Sequence, residues 1–436
     1  MNKHKLILFI SLCLASQYIA AQEKLSLSDA IRISLEKNYK IEIAKDQIAI
    51  AKNNNNWGEA GRWPSIDLQI TQNNNILDQS NNPTAFIKDK ITTNSVNGNL
   101  SANWMLFGGF RVKFTKEKLE QIQAQSEGNA LVVVENTIQG VILAYYNSVL
   151  QKEKLDVLAK LIKLSRDKYD HMQRKKDLGV SGTFDLLQIK NAYMSDSTNY
   201  LLQEIAYRNS VRNLNLLMSQ DVERFYDLSD FLEAKTERYE YDTLKSRMLR
   251  SNNTIMNQYI NLELQRTAID LAKSSMYPVV SLQVGTNNSF SHFQTSQFES
   301  NGSNLNYFAN FVINFNLFNG GKTKRAIQNA RIQEHLQSIT LEEQVFTLTG
   351  QLRNAYEMYL ARQVILMLTS EAYSNAEFNL KLAQERFDQG TLSSFNFRDV
   401  QIQFLNAAMV RLEAAYNLIN SHTELMRLTG GILSIN

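Results

Sequence analysis

Two short stretches of strict alternation organise this chain. Leu100, Ala102, Trp104 and Leu106 alternate with Asn99, Ser101, Asn103 and Met105, and Phe311, Ile313, Phe315 and Leu317 alternate with Asn310, Val312, Asn314 and Asn316. A period of two with one oily face is the signature of a strand. Asparagine is a poor core residue, so the face it builds meets water while the opposite face is bulky and apolar. Such a strand suits a barrel wall with a wet lumen inside and lipid outside. Each run ends in a Leu-Phe-x-Gly junction: Leu106-Phe107-Gly108-Gly109, and Leu317-Phe318-Asn319-Gly320 beginning 211 positions later. Gly109 and Gly320 thus mark two hand-offs from strand to helix.

Beyond each junction the period changes. Residues 111–177 and 322–388 contain no proline and almost no glycine. Val134, Ile138, Val141 and Tyr145 in one, and Val345, Leu348, Leu352 and Tyr359 in the other, recur at intervals of three and four. Both segments are expected as unbroken coiled-coil helices of roughly 100 Å at 1.5 Å per residue, too long for an ordinary globule. Each stops at a glycine, Gly179 or Gly390, and is followed by a short turn and a second helix, 184–218 or 395–428. Gly179-Val180-Ser181 and Gly390-Thr391-Leu392 therefore form two equivalent hairpin tips.

The N-terminal part of each half adds a helix and a strand. A helix is expected from Leu27 to Arg62, capped at Ser28-Asp29, ending because Pro64 forces Trp63 into extended geometry. Tyr277-Pro278 repeats this 214 positions later. After each proline, Ile66, Leu68 and Ile70 match Val280, Leu282 and Val284. The expected strands cover about 64–76, 94–107, 278–288 and 304–318, with polar outer loops near 73–93 and 286–304. Residues 219–241 link the first repeat (22–218) to the second (242–429), and 430–436 form a tail. Trp63, Trp104, Tyr277 and Phe315 suit either a membrane interface or packing at the junctions.

Composition sharpens the class. Three prolines and 17 glycines in 436 residues favour long helices over a loop-rich enzyme. Lys3, His4 and Lys5, an apolar run from Leu6 to Ala15 and small residues at Ala20 and Ala21 are expected to form a secretory signal over 1–21. Its removal takes the formal charge from +3 to +1 and removes the one cysteine, Cys13. Near-neutral charge excludes a strong nucleic-acid partner, and loss of Cys13 excludes disulfides. No stretch of eighteen apolar residues follows, so membrane entry would be by strands. His171, His292, His335 and His422 are scattered, without metal spacing or paired carboxylates; no catalytic, cofactor or metal residues are expected.

Helix, strand, strand, long helix, tip and helix, repeated twice after a signal, resembles the TolC family of outer membrane factors across essentially the whole mature chain. The resemblance rests on the paired prolines Pro64 and Pro278, the doubled Leu-Phe-x-Gly junctions, and the glycine turns followed by Asp185-Leu186-Leu187-Gln188 and Asn396-Phe397-Arg398-Asp399. It implies a mainly α chain with a transmembrane β part, four strands per copy, closing as a homotrimer into a 12-strand barrel on a helical barrel. Physics independently demands assembly, because four strands cannot close a transmembrane barrel and an open edge in lipid is prohibitive.

The resemblance further implies an outer membrane exit channel of a tripartite efflux pump or type I secretion system. Its partners would be outer membrane lipid, a periplasmic adaptor (membrane fusion protein), and an inner-membrane pump or ABC transporter. Docking falls on Gly179, Val180, Ser181, Gly390, Thr391 and Leu392, and a periplasmic constriction on Asp185, Asn396 and Asp399. Each glycine also serves as a helix C-cap, and Asp185 equally suits first-turn capping. The rival expectation is a soluble periplasmic coiled-coil scaffold, which would bury Leu100, Trp104, Leu282, Phe311 and Phe315 against its own helices.

Overall fold

The computed structural model describes residues 23–234 and 236–434; the expected signal over 1–21, with Cys13, lies outside the described residues. The chain is mainly helical: β1 (Glu23–Leu25), α1 (Leu27–Lys37), α2 (Tyr39–Asn54), β2 (Ser65–Asp78), β3 (Lys90–Gly108), α3 (Arg111–Asp177), α4 (Thr183–Met218), β4 (Tyr226–Leu228), α5 (Tyr241–Ser251), α6 (Asn253–Ser274), β5 (Val279–Gln294), β6 (Glu299–Asn314), α7 (Lys322–Asp388) and α8 (Ser394–Leu428), with a short 3-10 turn at Ile432–Ser434. Two compact units divide it. One holds residues up to Lys45, Gly128–Met256 and the chain from Glu343; the other holds Asp46–Glu127 and Asn257–Glu342.

The second unit carries a four-stranded antiparallel sheet in the order β2-β3-β5-β6. Residues paired across antiparallel strands share a face, so the register sorts every side chain. One face carries the rows Gln69-Asn99-Asn287-Asn306, Thr71-Asn97-Ser289-Asn304 and Ser65-Asn103-Gln283-Asn310. The other carries Ile66-Ala102-Val284-Ala309, Leu68-Leu100-Thr286-Tyr307 and Trp104-Leu282-Phe311. These apolar side chains are uncovered by the chain itself: Ile66, Leu68 and Phe311 are 72%, 68% and 72% exposed. Helix-borne polar contacts complete the unit, among them Thr267 to Gln121 at 3.0 Å and Gln337 to Gln258 at 2.8 Å.

The first unit holds an apolar core in which Tyr145, Val211, Leu214, Met218, Leu25 and Tyr226 are almost wholly buried. A two-stranded parallel sheet, β1 with β4, anchors the segment between the repeats to it. The Asp230 carboxylate then accepts from the Leu27 backbone N–H at 2.8 Å and the Tyr145 hydroxyl at 2.7 Å. Burial and the Asp230 carboxylate both push the Tyr145 phenol up from its ordinary value, so it stays a donor.

Several sequence expectations are corrected. The helix expected over Leu27–Arg62 is two helices, because Asn38 leaves the helical region and its side chain accepts from Lys40 N at 2.9 Å and donates to Leu217 O at 2.7 Å. Its cap is Ser26, which accepts from Asp29 N, rather than Ser28-Asp29. The asparagine run, not Pro64, ends α2: Asn56 donates to Asn53 O at 2.7 Å and accepts from Glu59 N at 2.9 Å. The expected loops 73–93 and 286–304 are mostly strand, leaving only 79–89 and 295–298 as connections. Polar residues on both faces read as loop, yet a ladder projecting beyond an apolar belt needs no oily face. Finally β6 stops at Asn314, short of Leu317 and Phe318.

Leu214→Ala, at a fully buried site, should cost about 2–5 kcal/mol through lost burial and a residual cavity. The midpoint of thermal unfolding, followed by the helical signal, should fall by several degrees.

Candidate functional site

Two regions carry the candidate chemistry: the sheet and the hairpin tips. In the sheet, the apolar face runs from the row Phe107-Val280-Ile313 to Val96-Phe290, interrupted by Thr286 and Asn288. Ten residue steps at roughly 3.4 Å make about 34 Å of strand, or about 26 Å of height at the roughly 40° tilt of barrel strands. That is about the height of the apolar band of an outer membrane barrel. Past it the same face turns polar, with Asn74-Asn94-His292-Asn301. Pro64 and Pro278 sit one residue before β2 and β5, where no ladder N–H is required.

Both tips are built alike. Gly179, at φ 74°, gives its N–H to Lys176 O at 2.9 Å while Val180 N reaches Lys175 O at 2.9 Å; Gly390, also at φ 74°, and Thr391 do the same to Phe387 O and Arg386 O. This paired 5→2 and 6→1 pattern is a Schellman C-cap, and only glycine adopts its left-handed residue without strain. Val180 projects, 74% exposed. Ser181 instead turns back to Met172, and Leu392 packs on the apolar cluster of Met172, Leu186, Ile189, Phe387 and Phe397. The six docking candidates are thus brought into two turns, of which Gly179, Val180, Gly390 and Thr391 are open to solvent.

The constriction candidates do not gather within one chain. Asp185 lies in the first turn of α4 but caps nothing; the cap residue is Gly182, with no side-chain hydrogen bond. The Asn396 backbone N–H donates its capping bond to Ser393, and Asp399 accepts from Gln403 at 2.7 Å. Sequence reasoning missed the polar contacts that join the two hairpins. Asp196 on α4 is 1% exposed, accepts from Nη1 and Nη2 of Arg398 on α8 at 2.7 Å each, and takes a third bond from Ser165 on α3 at 2.5 Å. A buried carboxylate so satisfied is a bidentate lock. Beside it Lys168 lies over the Phe387 and Phe397 rings, 4.3 and 5.0 Å from their centroids, and meets Asp388 at 2.5 Å. Partial burial opposes ionisation of Asp388, but bonds from Lys168 and Gln384 hold its carboxyl below the usual value. Also missed were exposed Leu178, Phe184 and Phe395 flanking the turns. Their signal was present, since bulky apolar residues directly beside a polar turn are unusual.

The family described as "Outer membrane efflux protein" matches residues 30–220 and 244–431, one segment per repeat. The chain belongs to this family. It is 21% identical to the probable efflux pump outer membrane protein TtgC of Pseudomonas putida over 75% of this chain and 66% of that protein. The match to the solvent efflux pump outer membrane protein SrpC of Pseudomonas putida is also 21%, covering 92% and 84%. Among solved structures it is similar to the Campylobacter jejuni CmeC outer membrane channel, with TM-score 0.75 and 17% identity over 93% of this chain and 85% of that one. The open state of the Neisseria gonorrhoeae MtrE outer membrane channel gives 0.70 and 16% over 93% and 89%. The expected resemblance, the outer membrane localisation and the mainly helical class are thereby borne out. The soluble scaffold reading is not supported, and Leu100, Trp104, Phe311 and Phe315 are exposed rather than buried on the chain's own helices. No described helix is long and apolar enough to cross a membrane, and no described cluster could hold a metal ion.

Arg398→Ala leaves Asp196 buried without its charge partner and should destabilise the hairpin pair by about 3 kcal/mol. Arg398→Lys, lacking the planar fork, should recover only part. Protease sensitivity of residues 178–183 and 389–393 measures both. The folded Asp388 carboxyl titrates below its unfolded value, so its contribution is complete above about pH 4 and is lost as pH falls through the folded value. Cleavage at the tips should therefore accelerate on acidification below about pH 4 and not between pH 6 and 8, and Asp388→Asn should reduce the acid-dependent part.

Proposed function

We propose that this protein is the passive exit channel of a tripartite efflux pump or type I secretion system, assembled as a homotrimer whose four-stranded sheets close a 12-strand barrel. One observation carries the reading: a sheet with an amide-lined face, an exposed apolar face about as tall as a bilayer core, and both edges unpaired within the chain. Lipid covers the apolar face and water fills the side lined by Gln69, Asn99, Asn287 and Asn306. That lining is neutral apart from Asp67, which suits a conduit that neither binds nor chemically alters its cargo.

The two tips receive the periplasmic adaptor of an inner-membrane pump or ABC transporter. Their uniform glycine turns support this, together with Leu178, Val180, Phe184 and Phe395, which are 78%, 74%, 77% and 67% exposed. An adaptor that buries these side chains gains apolar area without unfolding either hairpin. Asp185, Asn396 and Asp399 narrow the passage once three copies assemble. The Asp196–Arg398 pair keeps the two hairpins of each copy together, so opening requires either breaking that bond or moving them as one body.

Expressed with its leader, the protein should be recovered in the outer membrane fraction and released only by detergent; recovery in the soluble periplasm would contradict the reading. Gly390 has open space where a Cβ would stand but a left-handed backbone. Gly390→Val should therefore reshape this turn alone, costing about 1–3 kcal/mol locally. Adaptor cross-linking and export should be lost with membrane assembly intact, and unchanged export would show that this turn is not the docking point.

A further inference from the structure

The two Leu-Phe-x-Gly junctions are alike in sequence and unlike in surroundings. At the first, β3 continues to Gly108, paired with β5 down to Val279. Gly109 is so close to Ser274 O and the Tyr277 side chain that a Cβ there would collide with both, and Phe110 packs edge-on against Tyr277 and Phe107 at 6.3 and 5.6 Å. At the second, β6 ends at Asn314 and residues 315–319 belong to no strand. Leu317 and Phe318 are 85% and 86% exposed, and a Cβ on Gly320 would meet nothing within 4 Å. A hollow of about 910 Å³ opens there, walled by Met276, Phe315, Phe318 and Ile327.

The difference has one cause within the sheet. The first junction is dressed by its neighbour β5 and by Tyr277, whereas β6 has no neighbour on its outer side. The repeat counterpart of Tyr277 is Trp63, which also precedes a proline and is 61% exposed beside the equally unpaired β2. We propose that Trp63 of a second copy fills the hollow over Gly320, and that β2 of that copy pairs antiparallel with β6 in a register dictated by the internal repeat. This rests on the assembly reading above and adds the joint by which copies meet.

The register follows from the two offsets. β6 repeats β3 at 211 residues and β2 repeats β5 at 214. Ala102 faces Val284 in the chain, so Ile313 faces Ile70 of the next copy; Met105 faces Ser281, so Asn316 faces Asp67. The irregularity between Met105 and Phe107 recurs at Leu317, after which Phe318 faces Ile66 and Asn319 faces Ser65. Residues 315–319 then become strand. The faces check this independently: Ile313 and Ile70 both lie on the apolar face, Asn314 and Gln69 both on the polar one. A slip of one residue would set apolar against polar positions.

Cysteine pairs test it, because the sequence has no cysteine beyond Cys13. Two double variants are made, Ile70→Cys with Ile313→Cys and Gln69→Cys with Asn314→Cys, since adjacent rows alternate between wide and close spacing. A third, Ile70→Cys with Phe311→Cys, is slipped by two residues and sets the Cα atoms beyond the roughly 7 Å that a disulfide spans. Assembly mass in detergent is measured in parallel. At least one in-register pair should give oxidant-dependent, reductant-sensitive covalent oligomers, while the slipped pair and all single variants stay uncoupled. Oligomers of normal mass that couple only in the slipped pair, or in no pair, overturn this joint and leave the assembly reading standing. Dimers from Ile313→Cys or Ile70→Cys alone overturn it in favour of β6–β6 or β2–β2 pairing. A protein that stays monomeric overturns both.

Discussion

Backbone hydrogen bonding at the sheet edges is the constraint on which the molecule depends. Inside hydrocarbon each unpaired N–H or C=O costs several kcal/mol, since no water is present to satisfy it. The β2-β3-β5-β6 sheet pairs its inner strands fully and leaves the outer sides of β2 and β6 open. Its apolar face is uncovered by any of the chain's own helices. A sheet that is oily on one face, amide-lined on the other and open at both edges has no satisfactory state as an isolated body, in water or in lipid. The strand count is thus the physical ground for the proposed assembly, and the side-chain pattern for which face would meet which solvent.

The helical unit solves a different problem. Its core around Tyr145, Leu214 and Met218 supplies ordinary apolar burial, and near the tips buried polar contacts join a smaller apolar cluster around Phe387 and Phe397. Asp196 is satisfied by Arg398 and Ser165, and Lys168 is held between two phenylalanine rings and Asp388. Buried ion pairs add little net stability over an apolar replacement. What they provide is geometry, because a fork-shaped guanidinium accepts only one arrangement of the two hairpins. The segment between the repeats is fastened in the same manner, through Asp230 to Tyr145 and Leu27.

Much of this was legible in residues alone. The long helices were readable because nothing in 111–177 or 322–388 interrupts a three-four stripe, and the tips because Gly179 and Gly390 end both stripes at equivalent positions. The alternation of Ile66, Leu68 and Ile70 showed a two-faced strand. Other features left no local trace. The outer parts of β2, β3, β5 and β6 resemble loops, since asparagine and serine on both faces are held by the ladder rather than by propensity. The breaks at Asn38 and Asn54 depend on asparagine side chains bonding to the backbone, an option that periodicity does not register. The β1–β4 pairing joins segments some 200 residues apart. The Asp196–Arg398 pair was invisible because only the packed hairpins bring those side chains together.

The central claim is that the sheet separates oil from water. The most direct measurement places an environment-sensitive label, one cysteine at a time, along β5 from Val280 to Phe290 in the membrane-inserted protein. It then compares quenching by a lipid-soluble and a water-soluble agent. Lipid quenching at positions 280, 282, 284 and 290, alternating with aqueous quenching at 281, 283, 287 and 289, is the outcome the account predicts. Uniform aqueous quenching on both faces, or protection from both agents at every position, would contradict it.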